Sequence, residues 1–189
     1  MDQIEDKRSA ILDATLRLIS KNGFHGTAMA KVAQEAGVSA GIIYHYFESK
    51  DDLMDELYRT IKRKFGQVIG ESFDQNQPLK TQIRQILGLM IRYYIQRPLE
   101  SSFLEQYTRS PYYSPQIEAE VSQYYWPLIE CFKRAQQEMI VKDLPDAVIS
   151  TLTLDVATSL AQKHAAGFLN LTDELIERII DASWEAIRQ

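Results

Sequence analysis

Apolar residues recur along this chain at spacings of three and four, the pattern of helices that bury one face. Ile11, Thr15, Leu18 and Ile19 form the first stripe, ended by Asn22-Gly23, and Phe24 follows where it can pack back on the helix. Met29, Val32, Ala33 and Ala36 give a second helix with Thr27 as its cap, and Gly37 closes it in the left-handed conformation with Val38 as the locking apolar contact. Ser39 then caps a third helix whose Ile43 and Phe47 face inward. Ser49 caps a fourth, with Asp51 and Asp52 in the first turn and an apolar stripe from Leu53 through Leu57, Ile61 and Phe65 to Ile69. Pro78 opens a fifth, which ends by Arg97-Pro98, and a short helix through Phe103, Leu104 and Tyr107 breaks at 110–115. From Gln116 the spacing predicts one long helix kinked at Pro127, then two more over 146–164 and 172–188, the last capped by Thr172 or Asp173. No segment alternates as a strand does. The chain reads as all-α: an N-terminal three-helix helix-turn-helix domain over 1–50, joined by a helix to a C-terminal helical domain over 51–189.

The third helix and its turn are unusual in composition. Ala40 and Gly41 are small, which lets the helix N-terminus approach a groove floor, while the Tyr44 and Tyr46 hydroxyls and the His45 imidazole can bond phosphate oxygens. Taken singly, the two tyrosines also fit amphipathic packing and His45 a solvated surface. As a set, Thr27, Val32-Ala33, Ala36-Gly37-Val38, Gly41, Tyr44, His45-Tyr46, Phe47 and Lys50 resemble the DNA-binding end of the TetR/AcrR transcriptional regulators, over the first quarter to third of the chain. The resemblance implies that Thr27, Tyr44, Tyr46 and Lys50 bind phosphates, that Ala40, Gly41, Ile42 and His45 lie at or near base edges, and that Ser39 starts this DNA-facing helix. Ile42 departs from the family pattern, where a hydroxyl or amide is common; an apolar contact to a thymine methyl takes its place.

Charge refines this reading. The net charge is −5, but residues 1–65 hold ten Lys/Arg and ten Asp/Glu, and 66–189 hold eleven against sixteen, so the acidity belongs to the C-terminal part. A neutral DNA-binding end implies few phosphate contacts per subunit and hence a dimer. No run approaches a membrane span, the N-terminus lacks a basic-then-apolar leader pattern, and the single Cys131 fits a reducing compartment, so the expected location is the cytoplasm. His25, His45 and His164 are scattered, and neither a phosphate loop nor metal-ligand spacing appears; no catalytic residue, metal or cofactor is expected.

Ten aromatic residues fall between Tyr93 and Phe132. Such stripes serve as core or, with a few polar groups, as a small-molecule pocket. The pocket reading selects Tyr94, Phe103, Tyr107, Tyr124, Tyr125 and Phe132 as ligand-binding residues, with Glu105, Gln106, Arg109 and Glu130 as candidate polarity; a carboxylate buried among the rings would favour a lipophilic cation, and a buried Arg109 an acid. The last two helices carry apolar faces that can meet their symmetry mates in a four-helix interface. The resemblance implies the same plan: a homodimer on a palindromic double-stranded operator, most simply a repressor, released by a small, mainly apolar or aromatic effector. The rival reading is a DNA-bound scaffold that acts through partner proteins and has no effector.

Overall fold

The structure, a computed structural model, describes residues 2–189, with side chains from Asp6 onward. Among these residues there are eleven α-helices and no strand: α1 Asp2–Asn22, α2 Met29–Ala36, α3 Ala40–Tyr46, α4 Lys50–Ser72, α5 Leu79–Gln96, α6 Pro98–Thr108, α7 Pro115–Val121, α8 Trp126–Gln137, α9 Asp146–Leu152, α10 Leu154–Ala165 and α11 Asp173–Ile187. None is long and apolar enough to cross a membrane. The chain forms two compact units: Met1–Lys62 with Ser102–Glu120, and Arg63–Ser101 with Val121–Gln189.

The first unit is the helix-turn-helix with its support. Ile11, Ala14 and Ile19 of α1, Val32 of α2, and Ile43 with Phe47 at the end of α3 are buried together with Leu53 and Leu57 of α4. Full burial of each such side chain is worth about 1.5–3 kcal/mol, which is what fixes α3 on its scaffold. The second unit is organised around α5, which packs against α8, α10 and α11. Ile83, Ile86, Leu87 and Ile91 lie at helical spacing on its buried side, opposite Ala157 and Ala161 of α10 and Ile176 and Ile180 of α11. An antiparallel bridge between Val141 and Arg188 ties the chain end to the segment after α8. Burial pushes the Cys131 thiol up to about 11, so it stays protonated and unreactive.

Four helix boundaries differ from the sequence reading. α2 starts at Met29 with Ala28 at the cap position; the Thr27 hydroxyl donates instead to the Gly23 carbonyl at 2.9 Å. The long helix expected from Gln116 is not kinked but divided. α7 gives way to a 3₁₀ turn over Ser122–Tyr125, and Pro127 sits in the first turn of α8, where its missing N–H costs nothing. The helix expected over 146–164 breaks at Thr153, which is buried, leaves the helical conformation at φ −128°, ψ −77°, and bonds its hydroxyl back to the Ile149 carbonyl. Pro78 occupies the cap position of α5 rather than its first turn.

Candidate nucleic-acid interface

The turn that presents α3 is built by Gly37. At φ 67° it takes the left-handed conformation, its N–H bonding the Gln34 carbonyl and that of Val38 reaching the Ala33 carbonyl. A side chain there would be strained, so glycine sets the angle between α2 and α3. Ser39, at the α3 cap position, is extended and its hydroxyl makes no cap bond, leaving it exposed for an outside partner. Ala40, Gly41 and His45 are exposed beside it, and Tyr44 keeps 57% of its surface open although it is a large aromatic. Ile42 and Tyr46 are half-buried, and the His45 and Tyr46 rings meet edge to face at 5.1 Å. With Ile43 fully buried on the opposite side, α3 offers an open face that is small at its N-terminus and aromatic further on.

Thr27 and Lys50 are placed differently from the other seven DNA-facing positions. Thr27 has no exposed surface, and its hydroxyl serves the turn between α1 and α2. Lys50, half-buried at the start of α4, donates to the Phe24 carbonyl of the same turn at 2.7 Å and stands 5.9 Å above the Tyr112 ring. Both residues therefore brace the α1–α2 turn from the side of the core. Phe24 in turn packs on Tyr112 and Phe103, at 5.1 and 5.9 Å. This support from residues beyond 100 is invisible in local spacing and was missed by the sequence reading.

The same unit carries a polar network behind the reading helix. Tyr107 is fully buried, stacks on Tyr58 at 4.3 Å and donates to the Asp55 carboxylate at 2.8 Å; Tyr58 donates to Glu118, and Arg59 pairs with Glu120. Burial and Asp55 push the Tyr107 hydroxyl well above the usual tyrosine range, so it remains a donor. Desolvation raises the Asp55 carboxyl above its ordinary 3.8 despite the Tyr107 hydrogen bond and Arg59, with Asp51 and Asp52 adding to the rise. The folded state thus holds this proton more tightly than the unfolded chain, and the associated stability is lost as pH climbs through the raised value. Asp55→Asn keeps an acceptor for Tyr107 and removes the desolvated charge. Melting curves should show the variant above the parent near neutrality, with the gap closing at a pH below 3.8. A gap independent of pH would mean that the Asp55 charge is not what separates the two proteins.

The six residues selected as ligand-binding divide between the two units. Phe103 and Tyr107 belong to the first unit, whereas Tyr94, Tyr124, Tyr125 and Phe132 belong to the second. Tyr94 is buried on Phe65 at 5.8 Å; Phe132 is buried in α8; Tyr124 and Tyr125 are half-buried, with Arg63 over the Tyr124 ring at 5.5 Å. The candidate polar residues Glu105, Arg109 and Glu130 are exposed and Gln106 is half-buried. The buried carboxylate of this region is Glu100, which the sequence reading passed over. The second unit also holds a cavity of about 470 Å³, lined by Ile69, Phe73, Leu89 and Ile180 with Arg84, Arg92 and Glu177; none of the six residues lines it.

An all-helical chain that sets a short helix behind a glycine turn, buries one side of it and opens the other with small and aromatic residues is a helix-turn-helix transcriptional regulator. Residues 11–57 match the family described as bacterial regulatory proteins, tetR family, and residues 78–188 match the tetracyclin repressor-like C-terminal domain. The chain belongs to the TetR family of transcriptional regulators. It is 30% identical over 184 residues, 97% of each chain, to an HTH-type transcriptional regulator of Haemophilus influenzae. It superposes on the crystal structure of a TetR family regulator from Marinobacter aquaeolei with a TM-score of 0.93, at 26% identity and full coverage of both chains. The regulator FadR of Bacillus subtilis, solved in complex with stearoyl-CoA, shares the fold at a TM-score of 0.70 and 15% identity, covering 94% of this chain and 95% of its own.

Proposed function

We propose that the chain is a homodimeric repressor that binds a palindromic operator through α3 and leaves it when a small effector occupies the second unit. The observation that carries the DNA reading is the open face of α3: Ser39, Ala40, Gly41, Tyr44 and His45 are exposed on a helix whose other side is anchored by Ile43 and Phe47. Tyr44 and Tyr46 supply phosphate contacts, Ala40, Gly41, Ile42 and His45 lie at the base edges, and Lys50 has ammonium protons left for a phosphate after bonding Phe24. Thr27 contributes through the turn it fixes. The functional boundary is placed after residue 50, where the reading helices end, although the compact unit that holds them also takes in 51–62 and 102–120; the protein works in the cytoplasm, where the DNA is.

The dimer reading is supported by what α10 and α11 leave uncovered. Ala157, Ala161, Ile176, Ile180 and Trp184 are buried within the subunit, but Val156, Leu160, Leu175 and Ile179 remain half-exposed and Phe168, in the loop between the two helices, is 86% exposed. Apolar residues left open on two neighbouring elements mark a protein interface. For the effector, tight packing of Tyr94, Phe103 and Tyr107 supports core, while the buried Glu100 and the cavity beside α5 and α11 support a binding role for the second unit.

DNA fragments enriched by the full chain from a random library should contain an inverted repeat, with two protomers per fragment by sedimentation. On that fragment, Tyr44→Ala removes a phosphate contact worth about 1 kcal/mol per protomer, so the dimer should bind roughly 30-fold more weakly. The loss should be similar for specific and non-specific DNA. A loss confined to one base position would overturn the phosphate role, and a single protomer on a non-repeating site would overturn the dimer.

A further inference from the structure

Lys50 opens α4 with an ammonium group that no carboxylate neutralises. It donates to the Phe24 carbonyl at 2.7 Å and faces the Tyr112 ring at 5.9 Å, and among the described residues these are its only partners. The arginines of the same unit are all engaged by acids: Arg8 with Glu56, Arg17 with Glu35, Arg59 with Glu120 and Arg109 with Glu105. An ammonium carries three donor protons, and the carbonyl takes one. A ring face attracts the charge without accepting a proton along a fixed line. Lys50 is therefore held in place while its charge and its remaining protons stay uncommitted.

The ring that holds it is itself fixed. The Tyr112 N–H donates to the Ser110 hydroxyl at 3.2 Å, and that hydroxyl donates to the Tyr107 carbonyl at 2.8 Å. Tyr107 is fully buried and is anchored to α4 by the Asp55 carboxylate and the Tyr58 ring. Phe24, whose carbonyl binds the same ammonium, packs its own ring on Tyr112 at 5.1 Å. The segment from Tyr107 to Tyr112 thus meets α4 at Asp55 and again at Lys50, all within one compact unit. A free lysine gives up much of its rotamer freedom when it meets a phosphate, and one already placed gives up less.

We propose that Tyr112, far along the chain from the reading helix, is a positioning residue for DNA binding: its ring holds the Lys50 ammonium ready for an operator phosphate. This rests on the reading of Lys50 as a phosphate contact. Binding to the inverted-repeat fragment and to a mixed-sequence duplex, each measured over a series of salt concentrations, tests both statements. Lys50→Met should weaken both and lower the slope of log affinity against log salt by up to about two for the dimer. Tyr112→Phe, which keeps the ring, should match the parent. Tyr112→Leu, which keeps an apolar contact for Phe24 but no ring face, should weaken binding by about tenfold for the dimer and move the salt slope toward that of Lys50→Met. A trifluorinated phenylalanine at position 112 has nearly the shape of phenylalanine and a drained ring face, so it should behave like leucine, and it remains decisive if the leucine variant fails to fold. In a Lys50→Met background neither substitution should have any further effect. A loss that persists undiminished in that background, or one that leaves the salt slope unchanged, would reduce Tyr112 to a packing residue. Tighter binding by Tyr112→Leu would mean that the ring withholds Lys50 from DNA. If Lys50→Met itself changes neither affinity nor slope, the phosphate reading of Lys50 falls and the proposal with it; a loss in Lys50→Met with Tyr112→Leu silent sinks the positioning role alone.

Discussion

Tyr107→Ala is expected to lower the stability of the folded chain by about 3–5 kcal/mol, the range for removing a fully buried aromatic side chain. Three losses combine. The cavity left by a side chain with no exposed surface removes most of the packing energy; the 4.3 Å stack on Tyr58 contributes about 1 kcal/mol beyond its area; and Asp55 loses its donor while remaining desolvated. Tyr107→Phe keeps the first two terms and should cost only about 1–2 kcal/mol. Urea unfolding followed by circular dichroism measures both. Because Tyr58, Asp55 and Glu118 share one compact unit with α3, the alanine variant should also lose operator affinity at temperatures where it remains folded. A cost below about 1 kcal/mol for Tyr107→Ala would show that the ring is not core, and would restore it as a ligand-binding candidate.

The contrast between Tyr107 and Tyr44 shows what the chain discloses by itself and what it withholds. Both are tyrosines on helices with apolar neighbours. Tyr44 was legible because it sits on the arc opposite Ile43 and Phe47 in a helix begun by a glycine turn, and such periodicity sorts inside from outside within seven residues. Tyr107 was selected for a pocket because local spacing says that a side chain is inward, not what it meets there. Its partners, Asp55 and Tyr58, lie about fifty residues away. Thr27 and Lys50 carry the same lesson: their types and positions suggest phosphate contacts, and for Thr27 a helix cap, whereas the bonds they make to Gly23 and Phe24 depend on a turn whose geometry the spacing does not specify. Helix breaks at Thr153 and at the 3₁₀ turn before Trp126 escaped for a related reason, since tertiary packing there overrides a continuous helical pattern. Glu100 was the least visible. A glutamate after Pro98 looks like a helix start favoured by the dipole, and only the fold reveals its burial and the Tyr93 hydroxyl that bonds it.

Gly66→Ala should destabilise the second unit although alanine is the better helix former. In an isolated helix the exchange gains about 1 kcal/mol. In α4 the added methyl would press on the Tyr124 carbonyl and stand 2.7 Å from the Tyr124 Cβ. Those are backbone and near-backbone atoms, which do not swing aside as the tip of a long side chain does, so the overpacking cost falls at the upper end of about 1–3 kcal/mol or beyond it. The net expectation is a loss of about 2 kcal/mol, with Gly66→Val losing more. The 3₁₀ turn of Tyr124 and Tyr125 must then move off α4, which alters the surroundings of both half-buried rings and of Arg63 above Tyr124. Thermal melts should place glycine above alanine and alanine above valine. The reverse order, alanine above glycine, would mean that α4 and the turn do not approach closely in solution, and that Gly66 is only a weak point in a helix.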